Sequence, residues 1–271
     1  MHDIKKFQNK GFQNFSGILN GSADLQNVIN DIKLLGIEFF GSKFSLEAPF
    51  VSGRRSELAI FYESLRYSLS LQRLAVSPQI LDLVRSLGIQ HPISMHQDNI
   101  RMDEPARDEI LFHWHQDITY LLGSHNSITL WIPLGITNEH YGTIGVKPLI
   151  QKNIMPVTFT NSSVSNKKSN LSPKDVLLAD KVNDTDEEII EAKLGDVVAF
   201  SQYLLHRSRR NNSNICRWTI QLRYSDLLEP GFVKAGMPIG DRTIFFNTDY
   251  YGAPDMLIDA RSTRNLSEEN F

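Results

Sequence analysis

Five positions of this chain carry donor groups with a chemical logic: His115 and Asp117 in His115-Gln116-Asp117, then His206, with Ser208 and Arg217 following. Two imidazoles and one carboxylate form a ligand set that holds a non-haem ferrous ion by one face and leaves the other face open to oxygen. The planar fork of an arginine matches a carboxylate. Together the residues describe an iron site with a keto-acid bound beside it. Each element has a plainer reading when taken alone. A His-x-Asp triplet recurs at His96-Gln97-Asp98, and an isolated triplet is more often a surface histidine beside an acid. An arginine such as Arg217 is equally at home in a rim salt bridge.

The pattern of apolar residues says what could bring these groups together. Leu25, Val28, Ile29, Ile32 and Leu35 repeat at helical spacing behind the capping residues Ser22 and Asp24. Leu58, Ile60, Phe61, Leu65 and Leu69 form a second stripe, and Leu81, Leu83, Val84 and Leu87 a third, with Pro78 starting a new helix and Gly88 ending it. Residues 1–90 therefore read as mostly helical support. From Pro92 the period becomes alternating, with strands expected at 93–103, 112–120, 127–136, 143–149, 187–192, 196–200, 203–208, 215–225 and 242–247. Many short strands separated by turns make a mainly β domain of the sandwich or barrel type. In a strand at 112–120, His115 and Asp117 would project to the same side, and a jelly roll would supply His206 from a remote strand. On 215–225, Arg217, Thr219, Gln221 and Arg223 share one face and Trp218, Ile220, Leu222 and Tyr224 the other, which suggests a polar interior. Residues 151–186, with the Ser/Asn-rich run at 160–170, are too polar to pack and read as an insertion or lid. The expected organisation is a single domain over 1–271, with a β core at 91–226 and a C-terminal extension at 227–271.

Composition narrows the partners. The 271 residues are 41% hydrophobic and 22% charged, with a net charge of −3, so no broad attraction to nucleic acid or anionic lipid is expected. No apolar run is long enough to span a bilayer, and no signal peptide is evident after Met1. The single cysteine, Cys216, excludes an intrachain disulfide and a cysteine zinc site, and points to the cytoplasm.

The ordered set Phe112-His113-Trp114-His115-Gln116-Asp117, Ser127-Ile128-Thr129-Leu130-Trp131-Ile132-Pro133-Leu134, Gly142-Thr143-Ile144-Gly145-Val146-Lys147-Pro148, Gly195-Asp196-Val197-Val198-Ala199-Phe200 and Leu205-His206-Arg207-Ser208 resembles the phytanoyl-CoA dioxygenase family across about 90–226. The resemblance implies a double-stranded β-helix, Fe(II), 2-oxoglutarate and O2. It implies His115, Asp117 and His206 as iron ligands and catalytic centre, and Arg217 with Ser208 on the far carboxylate of 2-oxoglutarate. Trp131 would line the cofactor pocket, and Gln97 and Arg101 would lie on a strand contributing to it. It implies hydroxylation of an unactivated C–H in a sugar derivative, amino acid derivative or natural-product intermediate, with release of succinate and CO2. The turn after Pro148 departs from the family's Gly-Ser-His, and nothing marks a coenzyme A site. The acid at Asp117 favours hydroxylation over halogenation.

Other assignments stay open at this level. His113 could pair with His115 in a cupin-like centre that works without 2-oxoglutarate, or form a wall of the substrate pocket with Arg101 and Arg223. A non-catalytic metal-binding module is the remaining alternative. Gln97, Asn99, Arg101 and Asp103 share a face that is either pocket lining or the wet side of an edge strand. Trp114 and Trp218 read as core.

Overall fold

The computed structural model describes residues 3–48, 55–95, 98–108, 111–119, 121–148, 153–159, 176–178, 182–237 and 240–241. In chain order the helices are α1 (Lys5–Lys10), α2 (Ala23–Phe40), α3 (Arg55–Arg66), α4 (Leu69–Ala75), α5 (Pro78–Ser86) and α6 (Pro230–Lys234). The strands are β1 (Phe12–Phe15), β2 (Pro92–Ser94), β3 (Asn99–Asp103), β4 (Leu121–Leu122), β5 (Ser127–Pro133), β6 (Ile144–Lys147), β7 (Val157–Phe159), β8 (Val176–Leu178), β9 (Glu188–Ile189), β10 (Val197–Ser201), β11 (Leu205–Ser208), β12 (Arg217–Asp226) and β13 (Gly240–Asp241).

The major sheet runs β1-β10-β5-β12, with β2 and β3 lying end to end along the free side of β12; the minor sheet runs β11-β6-β9. All these pairings are antiparallel. Alternation assigns each strand residue a side. From the major sheet, Ile128, Leu130, Ile132, Val197, Ala199, Trp218, Ile220 and Leu222 face the helices and bury Val28, Ile32, Phe61, Leu65, Leu74, Ile80 and Leu83 against them. From its other face, Phe12, Trp131, Val198 and Phe200 meet Ile144 and Val146 of the minor sheet. The result is a double-stranded β-helix core backed on one side by the N-terminal helices.

The helices form for local reasons. The Ser22 hydroxyl accepts from the Leu25 amide to start α2, and Ser68 does the same for Leu71 at α4. Pro78 occupies the first turn of α5. Gly36 lets the Phe44 ring cross α2, since a Cβ there would lie 2.1 Å from it.

The structure corrects several expectations. Within the mostly helical N-terminal third, the unexpected element is β1, which completes the major sheet by pairing Phe12 with Phe200. The second apolar stripe breaks at Tyr67 between α3 and α4, leaving Ile60 and Leu69 55% and 73% exposed. The long strand expected at 93–103 is interrupted. There the Asp98 carboxylate accepts from the Arg223 amide of β12, a structural task for the second His-x-Asp triplet. The expected 112–120 strand is a short extended run ending in a 3-10 turn at Asp117–Thr119. Within the 151–186 insertion, β7 and β8 form an antiparallel ribbon. The strand expected at 242–247, and His96 and Gln97, lie outside the described residues. No described helix is long and apolar enough to cross a membrane.

Candidate active site

His115 and His206 face each other across an antiparallel bridge, with backbone hydrogen bonds of 2.9 and 3.0 Å in the two directions. Ser208 adds a third bond, from its amide to the Phe112 carbonyl. Residues 112–115 thus extend the minor sheet beside β11. This pairing holds the two imidazoles 4.1 Å apart, centroid to centroid. Each Nδ1 lies against the carbonyl two residues earlier, His115 on His113 at 2.7 Å and His206 on Leu204 at 3.0 Å. A carbonyl only accepts, so both Nδ1 atoms carry the proton and Nε2 is the metal-binding nitrogen of each ring.

Asp117 arrives by the 3-10 turn rather than by strand alternation. Its Oδ1 lies 3.9 Å from His115 Nε2 and 3.8 Å from His206 Nε2, and the three ligand atoms all fall within 4.8 Å of one another. The other oxygen, Oδ2, accepts from the Thr129 hydroxyl at 2.7 Å and has Arg223 Nε at 3.6 Å. The carboxylate is therefore oriented from the major sheet through β5 and β12. All three residues are buried, His115 at 4%, Asp117 at 5% and His206 at 7% exposure. Burial, reinforced by the neighbouring His206, pulls His115 down to about 3, so it is neutral at ordinary pH. Burial alone would raise Asp117, but Arg223, His206 and His115 outweigh it and bring it down to about 2. A neutral His115 and an ionised Asp117 are the protonation states a divalent ion requires of these ligands.

Arg217 opens β12 on the interior side, 6% exposed, with its guanidinium 5.6 Å from the Trp131 ring. Its Nη2 donates to Asp103 Oδ2, while Arg101 donates to Asp103 Oδ1 at 2.7 Å through Nε. Nε and Nη1 of Arg217 have no partner among the described residues. Two guanidinium cations share the Asp103 carboxylate here. Unpaired buried donors such as Nε and Nη1 of Arg217 are costly, each about 1–3 kcal/mol, and an anionic ligand would relieve them.

The remaining sequence-derived residues divide. Trp131 and Arg223 lie in the site, where Arg223 partners Asp117 and Gln221. Arg101 sits over the Phe112 ring at 4.3 Å, and Phe112 meets His115 edge-on. Asp103 and Arg101 resolve the β3 face as interior, whereas Asn99 is exposed. Ser208 is half-buried on β11, two residues from His206. His113 turns its side chain outward and contributes its carbonyl, so a His113–His115 cupin pair is not formed. Trp114 is at the surface rather than in the core, donating to Asp184 under Arg207.

Sequence reasoning missed Thr129 and Gln116 as contributors, and left Asp103 open as pocket lining or edge. Gln116 is buried between the ligands and ties its amide to the carbonyls of Asn153 and Tyr203 and the amide of Met155. Thr129 carries no signal, because β5 reads as an ordinary buried strand.

The phytanoyl-CoA dioxygenase family model matches residues 49–218. Similar solved structures include the non-heme monooxygenase ThoJ (TM-score 0.58, 16% identity, covering 82% of this chain and 76% of that one). The epimerase SnoN, in complex with Fe3+, alpha ketoglutarate and nogalamycin RO, is similar at TM-score 0.57 and 14% identity, covering 82% and 81%. EvdO2 from Micromonospora carbonacea var. aurantiaca is similar at TM-score 0.59 and 14% identity, covering 82% and 89%. Among curated protein sequences no match is found. The chain belongs to the phytanoyl-CoA dioxygenase family and is an oxygenase.

Proposed function

We propose that this oxygenase uses iron and 2-oxoglutarate to hydroxylate an unactivated C–H of a small molecule, releasing succinate and CO2. The observation that carries the reading is a buried His115–Asp117–His206 cluster sharing an interior with Arg217, whose Nε and Nη1 lack acceptors among the described residues. The donor set suits ferrous iron, which prefers mixed imidazole and carboxylate ligation with open positions. The orphaned donors suit the far carboxylate of a keto diacid. Bound iron and co-substrate would supply the oxygen activation.

The chain's own residues bind, orient and exclude water. His115 and His206 would hold the metal through Nε2, kept in the right tautomer by the His113 and Leu204 carbonyls. Asp117 would hold it through Oδ1 while Thr129 engages Oδ2. Arg217, steadied by Asp103 and lying near Trp131, would fix the co-substrate. Ser208 is assigned to the same pocket, and Arg101 to its substrate side. A carboxylate at position 117 fills the place a halide would need, which favours hydroxylation. A natural-product intermediate fits best among small substrates, since SnoN is described in complex with nogalamycin RO.

The test is succinate release by the Fe(II)-loaded protein across a panel of small metabolites. Substrate-stimulated, 2-oxoglutarate-dependent turnover is expected, with Asp117→Ala losing both bound iron and turnover. Arg217→Met should keep its iron while KM for 2-oxoglutarate rises at least about tenfold, the worth of one charge-assisted hydrogen bond. Turnover indifferent to 2-oxoglutarate would overturn the proposal.

A further inference from the structure

Gln116 sits between His115 and Asp117 but commits its side chain elsewhere. It is 2% exposed, and a primary amide in such a place has two N–H groups and a carbonyl to satisfy. All three are satisfied, and every partner is main chain. The NH2 group donates to the Tyr203 carbonyl at 2.8 Å and the Asn153 carbonyl at 3.0 Å, and Oε1 accepts from the Met155 amide at 2.8 Å. The Asn153 carbonyl and the Met155 amide bracket Ile154, so this side chain takes the place a neighbouring strand would fill.

Three separate pieces of chain meet at this amide. One is the His115–Asp117 segment itself. The second is the turn at 202–204 that leads into β11 and His206; it also accepts from the Ile118 amide and supplies the Leu204 carbonyl to His206 Nδ1. The third is the start of the 151–186 insertion, two residues ahead of β7. Near the insertion's other end, Asp184 is held by Trp114 and Arg207 at 3.2 and 3.1 Å, but it is exposed, and surface pairs contribute little. Gln116 is thus the buried attachment. We infer that Gln116 is a positioning residue that couples iron binding to docking of the insertion's first segment, 153–155. Iron held by His115, Asp117 and His206 would fix two of the three pieces, and the amide passes that order to the third. The inference rests on the iron reading above and is independent of the substrate. Such coupling is reciprocal: iron holds the segment by the same factor as the docked segment strengthens iron.

The test is hydrogen exchange at the Met155 amide, together with Fe(II) affinity by anaerobic equilibrium dialysis. In wild type, Fe(II) should slow exchange at Met155 about three- to tenfold, the range for one net hydrogen bond. Gln116→Leu keeps the bulk and removes the amide. Met155 should then exchange fast with or without Fe(II), and Fe(II) affinity should fall by that same factor. Met155→Pro removes only the donated N–H and carries the affinity comparison if Gln116→Leu does not fold. It should also weaken Fe(II), and the double variant should bind no more weakly than Gln116→Leu alone. Exchange at Met155 that ignores Fe(II) in wild type, or variants that bind Fe(II) as wild type does, overturns the coupling alone. So does weaker Fe(II) binding in Gln116→Leu with Met155 still protected, which would leave Gln116 a packing role. Wild type that binds no Fe(II) overturns the underlying reading as well.

Discussion

A metal site is only as good as the hydrogen bonds that aim its ligands, and here each ligand has one. The least expected is Thr129 on Asp117 Oδ2. Losing a partner of this kind commonly lowers metal affinity about 10–100-fold. Thr129→Val should therefore bind Fe(II) about tenfold or more weakly in equilibrium dialysis, with the fold intact by circular dichroism; unchanged affinity would mean the turn alone holds Asp117. Asp103 makes a different prediction. Burial opposes its charge, but Arg217 and Arg101 prevail and hold its carboxyl below the ordinary range. A carboxyl lowered on folding stabilises the protein above its unfolded value, near pH 4, and the contribution is lost as pH falls through the folded value. Asp103→Asn leaves two cations without their shared counter-charge, and breaking such a buried pair costs about 3–5 kcal/mol. The gap between variant and wild type in urea unfolding should be full at pH 7 and narrow as pH drops below about 4. A gap independent of pH would assign the loss to packing.

At the level of elements, the parts of the molecule legible in the sequence are those whose signal is local. The α2 stripe, the β5, β10, β11 and β12 strands and the polar-apolar split of β12 could be read because each depends on period alone. The path to Asp117 could not: the 3-10 turn is set by tertiary partners, among them the Ile118 amide on the Gln202 carbonyl. The candidate ligands were still identifiable, since His-x-Asp brings its two groups together by either backbone route. Strand β1 was hidden because Phe12-Gln13-Asn14-Phe15 has no alternation, and only its pairing with β10 makes it a strand. The family-like Gly145 gains a physical reason that no pattern shows. A Cβ there would lie 1.7 Å from Glu187 Oε1, and Glu187 is the carboxylate that grips Arg207 and Arg209 on the minor sheet. Gly145→Ala should force that carboxylate out and cost about 1–3 kcal/mol, the usual range for overpacking, read as a lower urea midpoint. Adding Glu187→Ala should recover little if the ion-pair cluster is the casualty, and most of the loss if steric crowding alone is.

At the scale of the whole molecule, the candidate metal site joins two sheets. His115 and His206 belong to the minor sheet and its extension, whereas Asp117 is held from the major sheet by Thr129 and Arg223. The helices α2–α5 pack on the outer face of the major sheet, while α1 reaches the minor sheet through Lys6 and Lys10 on Glu188 of β9. A metal bound by ligands from both sides adds a cross-link to the folded state alone. Binding to the native state stabilises by about 2.7 kcal/mol at a hundredfold excess over Kd, which in a protein of this size raises Tm by about 5–10 °C. Fe(II) should therefore raise Tm by about that much and chelation reverse it, with Asp117→Ala insensitive to both. Hydrogen exchange locates the effect. Iron alone should slow the amides of His115 and His206, which form the bridge between the ligand strands, whereas slowing at Arg217 should wait for 2-oxoglutarate. Protection that arrives everywhere with iron would mean the co-substrate pocket is organised by the metal itself and not by its own ligand.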